Sequence, residues 1–344
     1  MGRRDVIVIG ASAGGVQALT ELVRGLPASL PASVFIVCHF PPEGRSVLPE
    51  ILSRAGPVLA AHPADGDRFY PGHIYVAPPN HHMLLGPGSL IRLVRGAREN
   101  GHRPAIDPLF RSAARYYGAR AAGVILTGGL SDGSAGLIAL RAAGGVAVVQ
   151  DARDAEVAAM PRAAASVAGA DHVVPVSAMA PLLVRVVQDQ VVDTNSGEGA
   201  MDPIDDMPET IDEDAERQVH GGHRGARSFF SCPECGGALW QVDEPEFLRF
   251  RCHVGHAYNA EVLLSEQAEG LEAALWTSVR IFREQSVLSR QLAARERELG
   301  RLDSAGRFQE QAELAERHGR LVLDHLLQIP GPEEAPAEPR AEAN

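Results

Sequence analysis

Val6-Ile7-Val8-Ile9-Gly10-Ala11-Ser12-Ala13-Gly14-Gly15 is the stretch that decides how this chain is read. Residues 6–9 are an apolar, β-branched run, the pattern of a buried strand. Residues 10–15 are a glycine-rich turn. Residues 16–24 then place Val16, Leu19, Leu22 and Val23 on one helical face. A strand, a glycine turn and a helix serve either to bind phosphate or to present a nucleophile. A dinucleotide loop needs glycine where Ser12 stands, so that a pyrophosphate can approach the backbone. Gly-x-Ser-x-Gly is instead the form of a nucleophile turn, with the serine hydroxyl at the carboxyl edge of a sheet. The N-terminus of the following helix favours negative charge at that point.

Working outward, residues 4–190 alternate strands and helices. Residues 33–39 are a second buried strand, ending at His39. Residues 123–127 are a third, followed by Gly128-Gly129-Leu130-Ser131-Asp132-Gly133. Helices are expected at 107–117, 134–142, 161–167 and 181–190, and strands at 146–149 and 172–174. Between 58 and 95, Asp65-Gly66, Pro71-Gly72, Pro78-Pro79 and Gly86-Pro87-Gly88 punctuate short strands at 73–76, 83–85 and 90–94, read as a β-hairpin insertion at a sheet edge. The class is α/β: a doubly wound, mostly parallel sheet with helices on both faces.

The rest is modular. Residues 191–228 carry about ten acidic side chains and few apolar ones, the composition of a disordered linker. Residues 229–262 are a small cysteine-rich, zinc-ribbon-like unit. Residues 263–328 have helical spacing, with Leu271, Leu275, Val279, Phe282 and residues 287–292 as an apolar stripe and a break at 300–306. They read as an antiparallel helix pair or coiled coil. The tail, 329–344, is rich in Pro, Ala and Glu and expected to be disordered.

Net charge of −12 argues against nucleic acid as a partner. No apolar run is long enough to insert in a membrane, and no leader precedes the first strand. Four cysteines, three of them clustered at metal-ligand spacing, suit a reducing cytoplasm.

Ligands of open α/β sheets bind beyond the carboxyl ends of the strands. Three such ends carry Ser12, His39 and Asp132: a hydroxyl nucleophile, an imidazole base and a carboxylate to orient it. The chain order differs from that of α/β-hydrolases, where the acid precedes the histidine. Plainer readings compete. Asp132 before Gly133 also fits a helix N-cap, and His62, His73, His81, His82 and His102 are rival imidazoles. Cys38 points to the opposite face from His39 and reads as packing.

The cysteine unit has Cys232-x2-Cys235 and Cys252-x3-His256, a spacing suited to tetrahedral zinc in a structural role. His253 is the rival ligand. The alternative is a set of reduced buried cysteines.

Gly10-Ala-Ser-Ala-Gly-Gly15, Cys38-His-Phe-Pro-Pro42, Tyr75-Val-Ala-Pro-Pro-Asn-His81, Arg103-Pro-Ala-Ile-Asp-Pro-Leu-Phe110, Leu126-Thr-Gly128 with Asp132-Gly133, and Met160-Pro-Arg162 together resemble the chemotaxis protein-glutamate methylesterases over residues 4–190. The resemblance implies hydrolysis of glutamate γ-methyl esters on chemoreceptors or receptor-like helical proteins, with methanol released. Deamidation of glutamines is implied as well. It implies Ser12 as nucleophile, His39 as base and Asp132 as acid. Ala13, Gly128 and Gly129 would belong to the oxyanion and substrate loops, and no cofactor would enter the catalysis. A methyltransferase or another signalling protein is a further partner class.

Two departures stand out. The family pattern Thr-Gly-Met-Gly-x-Asp-Gly reads here Thr127-Gly-Gly-Leu-Ser-Asp-Gly133, so Leu130 replaces a glycine. The family's receiver domain, which would precede the catalytic domain, has no room ahead of residue 4, so control by phosphorylation in cis is not expected. These departures motivate a second reading, a weakly active or non-catalytic regulatory scaffold that binds receptor or signalling partners through the same domain and the C-terminal helices. A third, a nucleotide-binding oxidoreductase, fares worse, because Ser12 takes the glycine position and the second strand lacks a ribose-binding acid.

Overall fold

A computed structural model describes residues 2–40, 46–191, 226–242 and 248–328. The chain divides into two compact units, 1–263 and 264–344.

The first unit opens with β1 (Gly2–Arg3), β2 (Val6–Ala11), α1 (Gly15–Arg24), β3 (Ser33–Cys38) and α2 (Leu48–Ala55). It continues with β4 (Leu59–Ala61), β5 (His73–Val76), β6 (His82–Gly86), β7 (Leu90–Val94), α3 (Ile106–Tyr117) and β8 (Ala121–Ile125). Then come α4 (Ser134–Ala142), β9 (Val146–Gln150), α5 (Ala159–Ala163), β10 (His172–Val174), α6 (Val176–Val186) and β11 (Gln190–Val191). Seven strands form one sheet in the order β10-β9-β8-β2-β3-β5-β4, and each neighbouring pair is parallel.

A parallel sheet has to be covered on both faces, which is why β2 is apolar throughout. Ile7, Ile9 and Ala11 join α1, α2 and α6 side chains such as Leu19, Leu52 and Leu183 in one core. Val6 and Val8 join Ile106 and Phe110 of α3 and Leu137 of α4 in the other. The chain moves from β2 to β3 in one direction and later places β8 on β2's other side. The topological switch therefore lies at β2 and opens a crevice at the carboxyl edge.

The expected hairpin insertion is narrower than read. Only β6 and β7 form it, as a separate antiparallel pair. β5 instead joins the main sheet beside β3, and β4 is a short outer strand that period-2 reading missed. Helix α6 starts at Val176, ahead of the expected 181, with Pro181 inside it. The ring deprives the Ser177 carbonyl of its donor, but both residues are exposed, so water can replace it. Of the expected linker, residues 192–225 lie outside the described residues, and 226–228 already belong to a strand. The tail 329–344 also lies outside them.

The cysteine unit is a four-stranded antiparallel sheet of β12 (Ala226–Ser231), β13 (Ala238–Val242), β14 (Arg249–Cys252) and β15 (Ala257–Asn259). It belongs to the same compact unit as the parallel sheet. The segment between β7 and α3 lies along its β15 edge: Asn100 N–H donates to the Ala257 carbonyl at 2.7 Å, and Ala257 N–H to the Arg98 carbonyl at 3.3 Å. Beside these bonds Glu99 is buried between two arginines. Arg111 of α3 grips it in a bidentate pair at 2.7 Å, and Arg249 of β14 reaches it at 2.8 Å.

Two long helices follow, α7 (Ala260–Glu298) and α8 (Leu302–Leu326). In the second unit they pair antiparallel, with Phe282 against His318 at 5.6 Å between ring centres and Arg297 donating to Gln309. The buried seam differs from the expected stripe. On α7 it runs through Val279, Ser286, Ser289 and Ala293, and on α8 through Ala305, Ala312, Ala315 and Gly319. These positions follow heptad spacing with small residues, while Leu271, Val287, Leu288 and Leu292 are exposed. Leu299, Gly300 and Arg301 break the helices, and Gly306 lies within α8.

Burial alone would raise the Glu99 pKa, but the charges of Arg111 and then Arg249 outweigh it and hold the carboxyl down to about 2, from an ordinary 4.5. The stability this carboxylate contributes is therefore complete above its ordinary range and lost as pH falls from there toward about 2. Glu99→Gln is expected to destabilise the chain by about 3 kcal/mol near neutrality, because two buried guanidinium groups lose their shared partner. Denaturant unfolding of both proteins along an acid series should show the gap closing as Glu99 protonates. A gap independent of pH would contradict this account.

Candidate active site and metal site

Ser12, His39 and Asp132 come from the carboxyl ends of three adjacent strands, β2, β3 and β8. The Ser12 N–H donates to the Thr127 carbonyl at 3.0 Å, and the His39 N–H to the Ala11 carbonyl at 3.1 Å. The strand ends are thus laced together before any side chain acts. Gly14 makes the turn possible: its φ of 74° is left-handed, and a Cβ there would lie 2.7 Å from the Glu156 carboxylate. Gly128 permits close approach, since a Cβ on it would come within 2.8 Å of the Ser12 Cβ.

The three side chains form a continuous chain. Ser12 Oγ lies 3.2 Å from His39 Nδ1, and His39 Nε2 lies 2.9 Å from Asp132 Oδ2. Burial alone would raise the Asp132 pKa. Its hydrogen bond from His39, the charges of His39 and His102, and the Ile106 N–H together hold it well below the carboxylate range. An ionised carboxylate only accepts, so Nε2 carries the imidazole proton and Nδ1 is left to accept from the Ser12 hydroxyl. This is the arrangement of a base poised to deprotonate a nucleophile, with the two ring nitrogens exchanged relative to the serine protease template.

Asp132 is surrounded by donors. Its Oδ2 also accepts from Ile106 N–H at 2.7 Å. Its Oδ1 accepts from Asn100 Nδ2 and Gly133 N–H, both at 2.9 Å, and from Asp107 N–H at 3.3 Å. Asn100 donates its other amide hydrogen to Asp107 Oδ2 at 3.0 Å. Burial and the neighbouring Asp132 charge push the Asp107 carboxyl up to about 8, so it is neutral where Asp132 is ionised. His102 stacks on His39 with ring centres 3.7 Å apart. Burial and the charge of His39 hold its pKa down to about 4.

Asn100, His102 in this stacking role, and Asp107 were not legible as site residues. Asn100-Gly101 gives only a turn signal, and nothing in it points to Asp132. The remaining rivals to His39 have plain structural tasks. His62 bonds the Val76 carbonyl, His73 that of Pro71 and His81 that of Pro79. His82 is buried between the Ala97 carbonyl and the Ala105 N–H. Cys38 is buried, and burial pushes its thiol up to about 12, consistent with packing.

The oxyanion loops need one revision. The Gly128 N–H is committed to the Val157 carbonyl at 3.0 Å, which removes it from the donors open to a ligand. Ala13 and Gly129 N–H groups have no partner among the described residues. Leu130 adopts φ 57°, the left-handed conformation that its family glycine would take without strain. Its side chain packs against the apolar core of the cysteine unit, the cluster that contains Leu239, Phe250, Tyr258 and Val262.

In that unit Cys232, Cys235, Cys252 and His256 bring their ligand atoms within 4.8 Å of one another. Cys252 Sγ is 3.5 Å and Cys232 Sγ 3.6 Å from His256 Nδ1, and Cys235 Sγ is 3.6 Å from Cys252 Sγ. A tetrahedral ion with metal–sulfur bonds of about 2.3 Å needs ligand separations of roughly 3.5–3.8 Å, so the group could hold a metal. His256 Nε2 faces the Glu234 carboxylate at 3.2 Å, the outer partner that fixes a ligating imidazole. His256, not His253, is the histidine of the cluster.

Among the described residues no helix is long and apolar enough to cross a membrane. The profile of the CheB methylesterase family matches residues 7–183. Protein-glutamate methylesterase/protein-glutamine glutaminase 2 of Pseudomonas aeruginosa is 42% identical over 183 residues, covering 52% of each chain. The enzyme numbered 5 in Anaeromyxobacter dehalogenans is 41% identical over 184 residues, 53% of this chain and 51% of that one. The crystal structure of the Thermotoga maritima CheB methylesterase catalytic domain superposes with a TM-score of 0.52 at 29% identity, over 54% of this chain and 100% of that one. The chain spans about half the length of the curated relatives it matches. With the parallel sheet, the strand-end residues and the profile in agreement over the same segment, this chain belongs to the CheB methylesterase family.

Proposed function

We propose that the chain is a serine hydrolase that demethylates glutamate γ-methyl esters on a chemoreceptor or receptor-like helical protein in the cytoplasm. The observation that carries the reading is the hydrogen-bonded chain from Ser12 through His39 to Asp132 at adjoining strand ends. Ser12 Oγ attacks the ester carbonyl carbon while His39 Nδ1 takes its proton. Asp132 stabilises the imidazolium through Nε2. The oxyanion formed would lie at the N-terminus of α1, with the Ala13 and Gly129 N–H groups, unpartnered among the described residues, as its candidate donors. Collapse of the intermediate returns the proton from His39 to the methoxy oxygen, and methanol leaves. Water, deprotonated by His39, then attacks the glutamyl ester; the bond to Ser12 Oγ breaks, His39 returns the proton to that oxygen, and the carboxylate is restored. A glutamine side chain would follow the same steps with ammonia as the leaving group.

No step needs a cofactor. The cysteine unit would hold zinc in a structural role, because three thiolates and an imidazole fill a tetrahedron and leave no open position.

Methanol release from a methylated receptor cytoplasmic fragment tests the hydrolase reading. Ser12→Ala and His39→Ala are expected to lower kcat by roughly 10⁴–10⁶, and Asp132→Ala by about 10⁴. Wild-type chain that binds the fragment without turnover would instead favour the scaffold reading. For the metal, plasma mass spectrometry should find about one zinc per chain, lost in Cys232→Ser and Cys252→Ser. A metal-free but fully folded chain would refute the assignment.

A further inference from the structure

The cysteine unit lies outside the segment matched by the family profile, which ends at residue 183, yet it touches both loops that hold the catalytic acid. We infer that it is a positioning element of the active site: metal bound by Cys232, Cys235, Cys252 and His256 fixes Asn100, and Asn100 fixes Asp132. The inference rests on the hydrolase reading only where it speaks of reactivity.

The link can be followed bond by bond. Both amide hydrogens of Asn100 are spent inside the site, on Asp132 Oδ1 and Asp107 Oδ2. Its Oδ1 accepts from the Asn259 backbone N–H at 3.0 Å, and its own backbone N–H donates to the Ala257 carbonyl at 2.7 Å. Asn100 is buried with a left-handed φ of 51°, a conformation that needs such partners to persist. Ala257 and Asn259 form β15, in register with Arg251 and Arg249 of β14. Cys252 and His256 stand on either side of the turn joining these strands, and Cys252 N–H donates to the His256 carbonyl. A metal held by both therefore closes that turn and sets where Ala257 and Asn259 present their backbone groups.

Two further contacts join the same parts by different physics. Arg249 of β14 shares the buried Glu99 with Arg111, one residue before Asn100. Leu130, two residues before Asp132, packs into the unit's apolar core. The leucine that departs from the family glycine is thus a contact to the added unit, which accounts for its tolerated left-handed backbone.

Without these contacts Asn100 has no reason to keep its amide on Asp132 Oδ1. Oδ1 would then keep only the Gly133 and Asp107 N–H groups, and the carboxylate would hold the His39 tautomer less firmly. Asn100 touches no reacting atom and acts only through Asp132.

The test uses the full chain with zinc bound and after treatment with a zinc chelator. It reads the rate of Ser12 labelling by a fluorophosphonate and, independently of any chemistry, amide hydrogen exchange. Metal removal is expected to slow labelling by roughly 10–100-fold, the span of one hydrogen bond to a charged group. It should also speed exchange at Asn100, Ile106, Asp107 and Gly133, while β2 and β3 stay protected. In Asn100→Ala, already slowed, removing the metal should change labelling by less than about twofold, because the link is cut. Should chelation unfold the cysteine unit as a whole, Arg249→Met serves in its place. It keeps all four ligands, so zinc content should hold while labelling slows and the same four amides open. Exchange at those amides that ignores both the metal and Arg249→Met would overturn the inference, as would a metal effect of equal size in Asn100→Ala. Wild-type chain that shows the exchange link but never labels at Ser12 would leave the inference standing and sink the hydrolase reading instead.

Discussion

An ionised carboxylate buried at the mouth of a sheet is the constraint on which the site depends. Left alone, a buried charge of this kind is destabilised by several kcal/mol. Asp132 is kept charged by donors converging from its own turn, from the start of α3, from Asn100 and from His39. Each donor is also an instruction about direction. The two oxygens are not equivalent: Oδ2 faces the imidazole and Oδ1 faces the Asn100 amide. That division sets the histidine tautomer, and the tautomer decides whether the serine hydroxyl has an acceptor. Asp107, close enough to repel a second charge, stays neutral in consequence.

Much of this was readable from the chain. The apolar runs at 6–9, 33–38 and 123–127 are strands because both sheet faces are covered, and the residue after such a run is placed by the sheet itself. His39 follows directly on such a run, Ser12 and Asp132 lie in the turns beyond two others, and their side chains meet in one hydrogen-bonded chain. The four residues that could hold a metal are legible by spacing, since each pair sits on one tight turn. What could not be read came from tertiary pairing. Asn100 lies in a turn whose sequence says nothing of a partner 159 residues further on. Strand β4 is three residues long with an exposed leucine, and carries no period. The helix seam went to Ser and Ala where leucines were expected, because close backbone approach in an antiparallel pair favours small side chains. Leu130 reads in sequence only as a departure from a glycine, because the cluster it packs against lies about a hundred residues further on.

The family profile matches residues 7–183, and the cysteine unit and helices follow beyond them. The added part is not merely appended. It supplies an edge strand to an active-site loop, a charge to a buried ion pair and an apolar pocket to a strained leucine.

β1 pairs with β11, so the parallel-sheet portion begins and ends at the amino edge, opposite the crevice. The cysteine unit, however, meets the loops at the carboxyl edge, about 20 Å away along β2. Residues 192–225 join the two, and a segment of that length can stretch to roughly 110 Å. What holds the unit against those loops is its contacts at Asn100, Glu99 and Leu130. In binding terms it is an intramolecular ligand of those loops, joined to them covalently as well as by contact. A chain cut within that segment would be a two-component complex whose association constant measures, in one number, the combined worth of Asn100, Glu99 and Leu130.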